Sequence, residues 1–203
     1  MRFPVSCAFC GRTSEDGVCT ECDAGLSRAL RPVVSSLPYT EGALTLFDYE
    51  DRLVRRGIFA LKNRGTRIFA RVFILRALEH VRALGFDFSC VSYVPRRASQ
   101  RRLCGVDQAR VLARALAKEL GLPCVKLLSR CGFSRRQHTL GPAERVQNVR
   151  GKFRARKHPV QGDVLLVDDI VTTGATATEC ARVLLLAGAR RVVVFAPARG
   201  GTL

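Results

Sequence analysis

Two groups of residues combine types and spacings that can do chemistry. The first is Asp168-Asp169-Ile170-Val171-Thr172-Thr173-Gly174-Ala175-Thr176. Two adjacent carboxylates are followed by a loop of hydroxyls and small residues. Backbone N–H groups at a helix start, with Thr172, Thr173 and Thr176 as hydroxyl donors, make an anion cradle. Gly174 and Ala175 let the main chain approach a phosphate closely. The carboxylates repel phosphate, so they should face ribose hydroxyls, which donate to them, or Mg²⁺. A sugar phosphate satisfies both halves at once. The second group is Cys7-x2-Cys10 and Cys19-x2-Cys22, two CxxC knuckles eight residues apart. Four thiolates in two close pairs suit a tetrahedral, structural Zn²⁺ with no open coordination position. Gly11 follows the first knuckle where a tight turn is needed.

Elements must position these groups. Val164-Leu165-Leu166-Val167, bounded by Gly162 and the acid pair, reads as a strand buried on both faces of a parallel sheet. Thr176 with Glu179 reads as a capping box opening a helix that Gly188 ends. Val192 to Phe195 is the next strand. The unit is βαβ, with its loop at the carboxyl end of the first strand, where open α/β sheets place ligands.

Upstream, residues 1–25 form the double-CxxC module, 26–43 a linker in which Val33, Val34 and Leu37 dock on a neighbour, and 44–203 the main domain. Helices are predicted over Glu50 to Lys62, over Arg67 to Leu84 with Ile68, Val72, Leu75, Leu78 and Val81 on the core stripe, and over Gly105 to Leu120. Strands are predicted at Ser89 to Val94, Val125 to Leu128 and near Phe153. Pro95 to Arg102 is a basic loop. Ser129 to Arg145 is a long polar segment of the kind that serves as a lid or stays disordered. Cys90, Cys104, Cys124, Cys131 and Cys180 have no ligand spacing and read as small buried residues or bystanders.

The 203 residues suit one medium domain with a small appendage. No apolar run approaches the roughly 20 residues that span a bilayer, and the N-terminus lacks a signal peptide's apolar core. No membrane insertion is expected, and the cytoplasm, where thiols stay reduced, is the expected location. The formal net charge is +17. Residues 96 to 157 hold seventeen Lys or Arg against Asp107, Glu119 and Glu144, a net of +14. Such a patch suits pyrophosphate or a nucleic-acid backbone. Only Phe133 and Phe153 lie among these charges, so phosphate contact is favoured over base stacking.

The acid/Thr loop resembles the phosphoribosyl-pyrophosphate (PRPP) motif of type I phosphoribosyltransferases. Together with the CxxC pairs, Ala60-Leu61-Lys62, Val94-Pro95-Arg96-Arg97, Ser134-Arg135-Arg136-Gln137 and Arg145-Val146-Gln147-Asn148-Val149-Arg150-Gly151-Lys152-Phe153, it makes nearly the whole chain similar to the ComF family. Those are late-competence proteins with a zinc-finger module and a phosphoribosyltransferase domain. The resemblance implies a Rossmann-like, mainly parallel α/β fold of the type I phosphoribosyltransferase kind. It implies that Asp168 and Asp169 hold the ribose hydroxyls as the catalytic pair and that Thr172 to Thr176 hold the 5′-phosphate. It also implies that Arg96 and Arg97 hold pyrophosphate and that Arg130 to Gln147 is the mobile loop. Mg²⁺ would accompany PRPP. The chain departs from the family pattern at Cys104, where Arg is usual, and at Asp107, where Asn is usual. Purine-salvage relatives often carry an acid where Thr172 stands. The chain also ends soon after the final strand, which leaves any nucleobase hood to the N-terminal half. These departures favour a PRPP-binding protein of natural competence that contacts single-stranded DNA or competence proteins. The alternative is an active Mg-dependent phosphoribosyltransferase of nucleotide salvage.

Overall fold

The computed structural model describes residues 5–61, 66–96, 106–131, 149–156 and 160–201. A twisted sheet carries the architecture. Its strands are β3 (Val33–Ser35), β4 (Ala43–Asp48), β5 (Phe88–Tyr93), β8 (Asp163–Val167), β9 (Ile170–Val171) and β10 (Arg191–Arg199). The order across the sheet is β3-β4-β10-β8-β5, with the short β9 paired to the end of β10. All pairings are parallel except β3 with β4. Residues Cys124 and Val125 extend the sheet beyond β5 through bonds between Val91 and both Pro123 and Val125. The mainly parallel α/β class expected from the sequence is the one observed.

A parallel strand has both faces covered, so its side chains must be apolar without alternation. Strand β8 obeys this: Val164, Leu165, Leu166 and Val167 are all fully buried. Leu165 and Val167 point into one core, and Val164 and Leu166 into the other. The first core is roofed by α1 (Thr20–Ala29), α2 (Arg52–Ala60), α3 (Thr66–Ala83) and α4 (Gln108–Leu120). The second holds α5 (Ala175–Leu186) and a small antiparallel pair, β6 (Leu128–Arg130) with β7 (Phe153–Ala155).

Helix α3 corrects the expected stripe. Ile68 and Leu75 are 37% and 47% exposed, while Phe69, Ala70, Phe73, Ile74, Ala77 and Val81 are buried. Apolar residues fall on more than one face of the helix, so spacing alone does not fix its phase. The large Phe rings decide it: Phe73 packs edge-on to Phe47, and Phe69 edge-on to Phe9.

The N-terminal segment belongs to the same packing. A hairpin of β1 (Val5–Ser6) and β2 (Thr13–Ser14) precedes α1. Cys7, Phe9, Cys19, Cys22 and Leu26 join the first core cluster. Close approach is made possible by Gly57 on α2, where a Cβ would meet Phe73 at 2.7 Å and Phe9 at 2.8 Å. Within residues 26–43, Leu37 is buried, but Val33 and Val34 lie exposed on the edge strand rather than docked. Among the described residues, no helix is long and apolar enough to cross a membrane.

At the amino end of β8, fully buried Asp163 accepts from the Arg190 Nε at 2.8 Å and also pairs with Arg191. The Arg190 bond first, then that of Arg191, holds this carboxyl well below the usual carboxylate range. This triad locks β8 to the start of β10. It lies at the end of the strand opposite the acid pair.

Candidate functional site

The carboxyl end of β8 delivers the acid pair. The Asp168 N–H donates to Phe195 O on β10 at 3.0 Å, which fixes the strand end against its neighbour. The Asp169 N–H donates to Asp168 Oδ1 at 2.9 Å, and the Ile170 N–H to Asp169 Oδ1 at 3.1 Å. Each side chain thus folds back onto the turn through its Oδ1. Strand β9 then carries the chain along β10, and the Gly200 N–H closes the far side on Val171 O at 2.9 Å.

Thr172 and Thr173 are exposed, and Gly174 is the N-cap of α5 in the left-handed conformation, φ 70°. A Cβ at Gly174 would run into Leu37, so the loop leaves no room there for another side chain. Ala175 N–H donates to Thr173 Oγ1 at 3.5 Å. The expected capping box does not form, because the helix begins one residue before Thr176. Glu179 turns elsewhere: it accepts from the Gly151 N–H at 2.8 Å and from Arg182 at 2.8 Å. The first-turn N–H groups of α5 therefore point into a shallow hollow of about 40 Å³ lined by Asp168 and residues Ile170 to Ala177. A helix N-terminus of this kind favours negative charge through its dipole and its first-turn N–H groups.

Arg96 links the basic segment after β5 to the acid pair. Its Nη2 donates to Asp169 Oδ2 at 3.2 Å, and both side chains are about four-fifths buried. Asp168 sits between them and the core. Loss of water, and then the Asp169 charge, push its carboxyl well above the ordinary carboxylate range. One acid is paired and its neighbour is inclined to hold a proton. Carboxylates so placed can accept from hydroxyl donors or ligate a hard divalent cation. The donor set fits Mg²⁺ in kind, since both groups offer hard carboxylate oxygens.

The sequence-derived site residues Asp168, Asp169, Thr172, Thr173, Gly174, Ala175, Thr176 and Arg96 thus meet at one end of the sheet. Arg97, Arg101, Arg102, Cys104, Arg135, Arg136, Gln137 and His138 lie outside the described residues, as does most of the polar segment expected to be a lid. Two contributors escaped sequence reading. Leu37 buttresses Gly174 from a distant segment, and Glu179 ties α5 to the turn before β7. Only the i, i+3 spacing of Glu179 and Arg182 hinted at the second.

The cysteine cluster is separate. The ligand sulfurs of Cys7, Cys10, Cys19 and Cys22 lie within 4.8 Å of one another, and Cys10 Sγ is 3.6 Å from Cys19 Sγ. Zinc–sulfur bonds of about 2.3 Å in a tetrahedron require sulfurs about 3.8 Å apart. The spacing suits a metal ion. Gly11 N–H donates to Cys7 O at 2.8 Å, forming the turn of the first knuckle. The Arg12 guanidinium, 3.5 Å from Cys10 Sγ, pulls that thiol down to about 6. Burial pushes the Cys22 thiol up. Cys90, Cys124 and Cys180 are raised by burial, as inert packing thiols are.

No protein-family model matches the chain. It is 28% identical over 202 residues to the DNA utilization protein YhgH of Salmonella typhimurium, covering 93% of this chain and 88% of that protein. A stretch of 35 residues is 60% identical to ribose-phosphate pyrophosphokinase 1 of Archaeoglobus fulgidus, covering 17% of this chain and 12% of that one. Among solved structures, adenine phosphoribosyltransferase from Leishmania tarentolae matches 83% of this chain and 93% of its own, at 15% identity and a TM-score of 0.44.

Proposed function

We propose that the chain is a PRPP- or ribose-phosphate-binding protein of the ComF type that acts in the cytoplasm in natural competence, in contact with single-stranded DNA or competence proteins. One observation carries this reading: an acid pair at the end of a buried parallel strand stands directly beside a Gly-capped helix N-terminus. The helix end takes the 5′-phosphate on the N–H groups and hydroxyls of Thr172 to Thr176. The ribose 2′- and 3′-hydroxyls donate to Asp168 and Asp169. Arg96, already at the acid pair, faces the side from which pyrophosphate would approach, with Arg97 next to it in sequence. Mg²⁺ would neutralise the pyrophosphate of bound PRPP. The local identity to a ribose-phosphate pyrophosphokinase supports the ligand class, and the full-length likeness to a DNA utilization protein supports the setting. The four cysteines hold structural Zn²⁺ in this reading.

A second reading is phosphoribosyl transfer for nucleotide salvage. It is favoured by the Arg96–Asp169 pair, which brings a cation to the departing pyrophosphate. The two readings separate in one pair of measurements. Deleting the gene should depress uptake and use of external DNA at least severalfold, and the wild-type gene should restore it. A deletion strain with undiminished DNA use would overturn the competence reading. Steady release of pyrophosphate from PRPP with any common nucleobase would establish the second.

A further inference from the structure

A larger hollow, about 240 Å³, opens between α4 and the outer edge of the sheet. Tyr93 at the end of β5, Arg110 and Arg114 on α4, Lys126 beyond the sheet edge, and Asp107 are among its walls. It shares no lining residue with the hollow beside the acid pair. Strand β5 has β8 on one side and the Cys124–Val125 edge on the other. The hollow opens toward that outer edge, whereas Arg96 reaches across to Asp169.

We propose that this hollow is a second anion site, built for a phosphomonoester dianion. Three cations face one carboxylate, and that carboxylate is committed: Asp107 is the N-cap of α4 and accepts from the Arg110 N–H at 3.4 Å. Arg110 and Arg114 stand one helical turn apart, so both guanidinium groups reach the same side. Neither makes an ion pair with a described residue. An independent observation comes from the wall itself. The Tyr93 side chain is 5% exposed and lines the cavity, and its hydroxyl makes no hydrogen bond with a described residue. Burial pushes its phenol up, so it stays a neutral O–H donor. A forked pair of guanidinium groups and one O–H donor match the acceptor-only oxygens of a terminal phosphate. The volume is small for a drug-sized ligand. It suits a phosphate with part of its sugar. The dianion belongs either to a free nucleotide or sugar phosphate or to the 5′-end of a nucleic-acid strand.

Calorimetric titration at low salt separates these sources. The probes are a nucleoside 5′-monophosphate, a 5′-phosphorylated single-stranded oligonucleotide and the same oligonucleotide with a 5′-hydroxyl. At least one phosphorylated probe should bind, and Arg110→Gln with Arg114→Gln should weaken it about tenfold or more. Tyr93→Phe should weaken it a few-fold. The same binding should survive Asp168→Asn with Asp169→Asn, which sets it apart from the ribose-phosphate site. Conversely, stabilisation by PRPP with Mg²⁺ should survive the double Arg variant. Binding of the monophosphate assigns the site to free phosphates, and binding of the phosphorylated strand alone assigns it to strand ends. The proposal is overturned if the 5′-hydroxyl strand binds as well as the phosphorylated one while the monophosphate does not bind. Unaltered binding in the double Arg variant would overturn it equally. Arg110 and Arg114 are exposed, so the variant keeps its fold.

Discussion

At the scale of single residues, the site depends on an imbalance between neighbours. Asp169 has Arg96, and among the described residues Asp168 makes no ion pair. Residue types and order in the sequence reveal the two acids and the Thr/Gly loop, because each side chain there has one chemical use. The Arg96–Asp169 pair is 73 positions apart in the chain, and no local pattern announces it. The same is true of Leu37 beneath Gly174. That contact makes the glycine demanding twice over, by its positive φ and by the space a Cβ would need. Gly174→Ala should therefore cost about 1–3 kcal/mol of stability, measured by urea unfolding. It should also weaken ribose-phosphate binding. An unchanged midpoint would mean that the loop relaxes freely.

Elements were legible where their pattern had one solution. Strand β8 is an unbroken apolar run with fixed ends, so its place in the middle of a parallel sheet followed from sequence. Helix α4 has a clean stripe: of Ala109, Leu112, Ala113, Leu116 and Leu120, the face that the spacing predicts, the first four are buried and Leu120 is partly so. Helix α3 failed on phase because apolar residues fall on more than one of its faces. The start of α5 failed because Glu179, apparently a capping residue, has a better partner in the Gly151 N–H and Arg182. The Asp163 triad was also hidden, since the carboxylate stands 27 and 28 positions from its two arginines. Its pH behaviour follows from the depressed carboxyl. The unfolded state takes up a proton first, so the stabilisation is complete above about pH 4 and is lost as pH falls below it. Asp163→Asn should cost about 2 kcal/mol at neutral pH, the worth of a hydrogen bond to a charged group. It should also flatten the acid limb of the stability curve. A variant that keeps the wild-type acid limb would assign that limb to other carboxylates.

For the whole molecule, the N-terminal cysteines and the sheet share a core. Two CxxC pairs suggested a small module, and nothing in the spacing reveals that Phe9 packs on Phe69 or that Leu26 is fully buried. Metal content should therefore register in global stability. We expect one zinc per purified chain by elemental analysis. Cys19→Ser should lose it and lower the melting temperature by about 5–10 °C, since about 2–4 °C accompanies each kcal/mol at this size. Full zinc content in that variant would exclude the four-thiolate site. The charge excess works at the same scale. A chain at +17 attracts phosphates before any contact forms. The most direct test of the ribose-phosphate site is thermal unfolding with PRPP and Mg²⁺. The wild-type chain should melt several degrees higher with the pair than with Mg²⁺ alone, and Asp168→Asn with Asp169→Asn should remove that gain. A wild-type melting temperature indifferent to PRPP would contradict the assignment of Asp168 to Thr176 as a ribose-phosphate site.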